Sequence, residues 1–206
     1  AQLSAQLSQR TPEALLDIVR RSLEAARALI AELRERDGSA QERLTWYDDV
    51  SLIVGDAAAI VSVCRNGHPD EAMRDAADVA EQEIEALSTE LSLDRGVYDA
   101  LLSAQAHGAA LDPAGRHLLD KVIKAMRQSG VDRDEATRAK VRALRDELVV
   151  LGQEFGTHIT DDVRAIEISP DELDELLADY VAHHEPVDGK VRITTDTPDY
   201  VPFVTY

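Results

Sequence analysis

The sequence predicts a mainly α protein: a multi-helix antiparallel bundle or array with a short β element at its C-terminal end. Three observations carry this reading. Apolar residues recur every three or four positions along most of the 206 residues, the spacing of one helix face. Polar cap residues followed directly by proline mark helix starts at Thr11-Pro12 and Asp112-Pro113. Only residues 186–206 abandon that pattern, for short β-branched runs.

The elements follow in order. Thr11 caps a first helix, with Pro12 at its first position, Glu13 in its first turn, and Leu16, Val19, Leu23, Ala26, Ile30 and Leu33 on its apolar face. Asp37-Gly38 ends it. A second helix runs from about Gln41 to Cys64, with Leu44, Tyr47, Ser51, Val54, Ala58 and Val61 on one side, and Asn66-Gly67 stops it. Pro69 opens a third, carrying Met73, Ala77, Ala80, Ile84, Leu87 and Leu91. Asp94 caps a short fourth helix with Val97, Leu101 and Leu102, closed by Gly108. Asp112-Pro113 opens a fifth, with Leu118, Leu119, Val122, Ile123 and Met126, and Ser129-Gly130 ends it.

Asp134 starts the longest helix, reaching to about Val163, with Val141, Leu144, Leu148, Leu151, Phe155 and Ile159 aligned. Gly152 and Gly156 lie inside it, each costing about 1 kcal/mol relative to alanine. Close helix packing is the expected reason for tolerating them. Ser169 and Glu172 form a capping box for a short helix with Leu173, Leu176, Leu177 and Tyr180. Pro186 breaks it and Asp188-Gly189 is a turn. Lys190–Thr194 reads as a strand, and Val201–Tyr206 as a second one interrupted by Pro202. A lone hairpin is marginal in water, so these strands are expected to pair with structure beyond Tyr206. The expected division is a helical domain over residues 1–185 and, over 186–206, the start of a β-containing segment that continues past the end. No repeat of solenoid period is visible.

Charge narrows the function classes. Asp and Glu number 40 against 22 Lys and Arg, a formal net charge of -18. Binding nucleic acid or an anionic membrane surface requires clustered cations, so both are disfavoured. No run of about 18 apolar residues offers a membrane span. With 44% hydrophobic residues the chain is not a disordered acidic tail. A single cysteine, Cys64, allows no internal disulfide. It ends an apolar helix face and reads as a small buried hydrophobe. The first residue is Ala1, and the opening lacks the basic start and apolar run of a signal peptide. Earlier residues are therefore expected to have been trimmed. The expected compartment is the cytoplasm, or outside the cell if a signal peptide preceded Ala1.

No catalytic, cofactor-binding or metal-ligating residue emerges from the residues alone. His183-His184-Glu185 resembles the start of a His-Glu-x-x-His zinc motif. The second histidine should stand where Asp188 stands, and Pro186 prevents the helix that would align the pair. His68, His107, His117 and His158 are isolated. Asp48-Asp49 and Asp161-Asp162 are sequence neighbours on helices and do not face each other. There is no nucleophile elbow and no phosphate-binding glycine loop.

Three segments carry a resemblance instead. Leu111-Asp112-Pro113-Ala114-Gly115-Arg116-His117-Leu118-Leu119-Asp120-Lys121 is followed by Met126-Arg127-Gln128-Ser129-Gly130-Val131. Arg142–Leu148 is followed by Leu151-Gly152-Gln153-Glu154-Phe155. Val191–Thr195 is followed by Pro198-Asp199-Tyr200-Val201-Pro202-Phe203-Val204-Thr205-Tyr206. In order and spacing these resemble the zinc metallopeptidases of the thimet oligopeptidase, oligopeptidase A and dipeptidyl carboxypeptidase group, over roughly half the chain. Leu173–Leu177 departs from the family's Leu-x-Gly-Leu-Pro turn, and residues 1–92 match only in helical character.

The resemblance implies that the chain is the N-terminal helical part of a longer peptidase, forming one wall of a channel that admits short peptides. Its implied partners are those peptides and the catalytic domain that carries the zinc. The family's zinc site, a His-Glu-x-x-His helix plus a downstream glutamate, does not occur in these 206 residues. No cofactor is therefore expected on this chain, and zinc is expected in the parent protein. The alternative reading is an acidic all-helical scaffold that binds a basic protein through a negative face.

Overall fold

A computed structural model describes residues 11–107, 111–173 and 178–205. The protein is mainly helical, with antiparallel helices and a two-stranded sheet near the C-terminal end. By contacts it divides into two compact units, Ala1–Leu151 and Gly152–Tyr206.

The first unit is built on helices α1 (Pro12–Glu35), α2 (Ala40–Gly67), α3 (Glu71–Ser92), α4 (Arg95–Ala106) and α5 (Pro113–Ser129). Each start is fixed by its own side chain. Thr11, Asp70, Asp94 and Asp112 accept from the first-turn N–H groups of Ala14, Ala72, Val97 and Gly115, which have no intrahelical acceptor. Ser39 and Glu42 form a reciprocal capping box at α2. The α5 helix ends on Gly130, whose φ of 95° is the left-handed conformation glycine adopts freely. Gly38, between α1 and α2, lies so close to Trp46 that an added Cβ would stand 2.9 Å from the ring.

α1, α2 and α3 pack mutually, α4 lies against α1 and α2, and α5 against α4. Their buried faces form one core containing Leu23, Leu33, Met73, Ile84, Leu101 and Ile123. One position of α1 and the middle of α2 depart from the sequence reading. Leu15 is fully buried in α1, and Leu16 only partly. In α2 the expected Leu44 and Val61 are buried, but in the middle of the helix the buried positions are Val50 and Ala57; Ser51 is exposed and Ala58 partly buried. Over 28 residues a helix in contact with several neighbours has no single seam, so one periodic stripe misplaces its middle. Gly108 lies outside the described residues.

Helix α6 (Glu135–Asp161) departs most from expectation. It is capped by Asp134, which accepts from the Thr137 N–H at 2.9 Å. Its aligned apolar residues are not in a core. Leu144, Leu148, Leu151, Phe155 and Ile159 are 49, 66, 50, 68 and 63% exposed. The expected packing around Gly152 is also missing, since a Cβ there would meet nothing within 4 Å. Arg145 fastens the helix to the bundle. It donates to the Ser92 hydroxyl at 2.6 Å and the Ser129 hydroxyl at 3.0 Å, the last residues of α3 and α5. A cation there also suits the negative ends of both helix dipoles.

The second unit contains strand β1 (Ala165–Ile168), a 3-10 turn (Pro170–Leu173), α7 (Ala178–His183), β2 (Val191–Thr194) and α8 (Thr197–Thr205). β2 forms where the alternating run predicts it. Its partner is upstream: β1 pairs with it antiparallel, Ala165 opposite Thr194 and Ile168 opposite Val191. Asp188 and Gly189, at φ 51° and 78°, turn the chain into β2. The second expected strand, Val201–Tyr206, is corrected. Residues 197–205 are helical, started by the Asp196 carbonyl, which accepts from the Asp199 and Tyr200 N–H groups. Local capping outweighs the β preference of Val201, Val204 and Thr205. Leu173, Tyr180, Val191 and Ile193 make a small core of their own. Leu176 and Leu177 lie outside the described residues.

Candidate functional site

A cavity of the second unit, about 620 Å³, is lined by Glu167, His183, His184, Glu185, Lys190 and Asp199 among others. The fold explains why these residues meet. α7 ends at His183 because Pro186 follows, and the Asp188-Gly189 turn brings β2 back alongside it. α8 then places Asp199 in its first turn, facing the end of β2.

Asp199 is the hub. One carboxylate oxygen accepts from the Thr194 N–H at 3.1 Å and the Thr194 hydroxyl at 2.5 Å. The other lies 3.2 Å from Nε2 of His184. The Tyr180 hydroxyl donates to the Asp199 carbonyl at 2.9 Å, and its ring stacks at a tilt on His184 with centroids 4.2 Å apart. Burial pushes the Asp199 carboxyl up, but the Thr194 donors and His184 outweigh it and hold it below the usual carboxylate range. Burial and the Asp199 charge push the Tyr180 phenol up.

These bonds turn the polar atoms toward one another. Both Asp199 oxygens are engaged, one by Thr194 of β2 and the other by His184, the residue after α7. His183 and His184 direct Nδ1 to the carbonyls of Asp179 and Tyr180, one turn back on their own helix. Two rings pinned to successive carbonyls diverge, so the pair does not converge on one ion. Among the described residues no group of three or more His, Cys, Asp or Glu is placed to hold a metal. The residues present do not fit a zinc site of the family's kind. The arrangement is a junction that locks β2, α7 and α8 together.

A pH dependence follows. The folded-state pKa of Asp199 is depressed, so its contribution is fully present above the unfolded carboxylate value of about 4. It is lost as pH falls through the lower folded value. Protection factors of the Val191–Thr194 amides, measured against the intrinsic exchange rate at each pH, should therefore fall below about pH 4. Asp199→Asn should exchange faster than wild type at pH 6, with the difference closing in acid. An undiminished difference at pH 2 would sink the assignment.

The other singled-out residues lie apart from this network. Cys64 is buried in the first unit's core, as its place on an apolar face implies. His68 receives the Asp70 N–H on Nδ1, while its buried Nε2 has no hydrogen-bond partner. His107 faces the Ser103 carbonyl, and His117 and His158 are exposed. Asp48, Asp49, Asp161 and Asp162 are exposed, and Asp162 pairs with Arg164 at 2.9 Å. Sequence reasoning overlooked the Asp199 hub. Thr194, Tyr180, His184 and Asp199 have no motif spacing, and only the pairing of β2 reveals them as neighbours. None of the described helices is long and apolar enough to cross a membrane.

No family model matches the chain. A curated relative does: mitochondrial intermediate peptidase 1 of Cryptococcus neoformans var. neoformans, 26% identical over 152 residues. The match takes in 70% of this chain, which spans only about 20% of that peptidase's length. The match therefore extends well beyond the three segments that first carried the resemblance. The chain is a distant homologue of a mitochondrial intermediate peptidase and thereby related to the zinc oligopeptidase family.

Proposed function

We propose that this chain is the non-catalytic N-terminal helical part of a zinc-dependent oligopeptidase that hydrolyses short peptides, and that it forms one wall of the substrate channel. The observation that carries the reading is the 152-residue match to a fifth of a peptidase. The capped bundle of α1–α5 supports it, because one continuous core of this size supplies a rigid wall. Hydrolysis would fall to a His-Glu-x-x-His helix, where zinc activates water and the glutamate acts as base. No such sequence occurs here, so no step is assigned to these residues.

The purified 206-residue chain should bind no stoichiometric zinc and release no product from a fluorogenic peptide. Metal analysis and a hydrolysis assay check both. Hydrolysis that survives chelation would falsify the reading. An open reading frame that stops after Tyr206 would favour the acidic scaffold instead, and one that continues to His-Glu-x-x-His favours the peptidase.

A further inference from the structure

We infer that His184 is held as the doubly protonated imidazolium, and that this proton is a lock between the end of α7 and the start of α8 that opens as pH rises. The inference stands on the second unit alone and does not need the peptidase reading. It starts from the ring geometry. Nδ1 of His184 lies 2.8 Å from the Tyr180 carbonyl, and Nε2 lies 3.2 Å from a carboxylate oxygen of Asp199. A carbonyl only accepts, and a neutral imidazole has one N–H and one lone pair. A neutral ring that satisfied the carbonyl would turn its Nε2 lone pair onto the Asp199 oxygen. The imidazolium donates to both. Burial pushes the Asp199 carboxyl up, but the Thr194 donors and His184 hold it below the usual range. Asp199 is therefore ionised at neutral pH and has no proton to supply.

The ring has little freedom to turn away. Its side chain is 10% exposed, and the Tyr180 ring stacks on it with centroids 4.2 Å apart. The charged groups around it favour a cation. Glu167 of β1, Lys190 and Arg192 of β2, and Glu185 and Asp188 between α7 and β2 line the same cavity. Together with Asp199 of α8 these are four carboxylates against two cations, and Lys190 pairs with Glu167 at 3.4 Å. The Tyr180 phenol, pushed up by burial and by Asp199, stays neutral where a histidine titrates. His183 is the internal reference. It places Nδ1 2.6 Å from the Asp179 carbonyl in the same way, yet it is exposed and makes no ion pair among the described residues. The contribution of His184 is present while its ring is charged and is lost as pH rises through the ring's titration. Since Asp199 loses its charge in acid, the junction is tightest between the two limits.

The test is a ring-nitrogen NMR titration of the 206-residue chain, with His183→Gln and His184→Gln assigning the signals. At about pH 7.5, above the ordinary histidine value of about 6.5, both nitrogens of His184 should carry protons while His183 carries one. Asp199→Asn should make the two histidines titrate together; if that variant does not fold, the wild-type comparison decides alone. Between about pH 6 and about pH 9, protection factors of the α7 and α8 amides, measured against the intrinsic rate at each pH, should fall about tenfold. In His184→Gln, which has no ring to titrate, they should stay level. Loss of the proton from His184 and His183 together in the wild type would overturn the assignment. An equal fall of protection in His184→Gln would overturn the lock.

Discussion

Replacing Leu23 by alanine should lower the stability of the helical unit by about 3 kcal/mol, within the usual range for a fully buried leucine. Leu23 is 1% exposed on the face of α1 that packs against α2 and α3. Truncation removes its transfer energy and leaves a cavity. Its neighbours Val19 and Ala26 are themselves buried and fixed along one helix face, so the site collapses poorly. Urea denaturation should show a lower midpoint with an unchanged slope. Leu16→Ala is the control. Leu16 is only partly buried, so about half that loss or less is expected. Equal effects at the two positions would show that the packed face of α1 has been misassigned.

Asp94→Ala should cost about 2–3 kcal/mol, more than a cap alone. The carboxylate does two things while 6% exposed. One oxygen caps α4 through the Val97 N–H at 3.0 Å. The other accepts from Nε of Arg34 at 2.7 Å, and from its Nη2, joining the end of α1 to the start of α4. Deletion leaves one orphan N–H and strips the buried carboxylate from the guanidinium. Arg34 retains some access to water, which keeps the loss below that of a fully buried pair. Asp94→Asn preserves a cap acceptor and should lose only about 1–2 kcal/mol. A double-mutant cycle with Arg34→Ala should give a coupling of about 1 kcal/mol or more. Zero coupling would mean that capping alone explains the effect.

The two residues also show what the sequence makes legible. Asp94 can be recognised as a cap because it precedes a helical run, and the cap is where the sequence places it. Its ion pair with Arg34, 60 positions away, has no local signature. Leu23 belongs to a stripe that periodicity identifies correctly, because α1 buries one continuous face. The same periodicity misleads in α6, where the stripe is real but none of the described residues buries it. Periodicity reports what a helix is able to pack against, not whether the packing partner lies in the same stretch of chain.

The C-terminal unit separates local from tertiary information most clearly. The β2 strand and the turn before it follow from residues 188–194 alone. The choice between strand and helix at 201–205 does not, because Val201, Val204 and Thr205 favour a strand while the Asp196 carbonyl and Pro198 favour a helix start. Asp199 contributes to the outcome by bonding Thr194 at the end of β2. That contact needs β2 to be paired already, and its partner is β1, about 26 residues upstream by the register Ala165 to Ile168 against Thr194 to Val191.

By itself, the sequence determined the helical class, the caps at Thr11, Asp94, Asp112 and Asp134, the buried cysteine and the absence of a His-Glu-x-x-His motif. Each of these depends on neighbours within one or two helical turns, or on composition. Only the tertiary structure decided which side of α2 is buried, that α6 keeps its leucines in water, and that Asp199 holds a junction of three elements. Those outcomes depend on groups far apart in sequence meeting in space, and the energy of such a meeting is written in no local window.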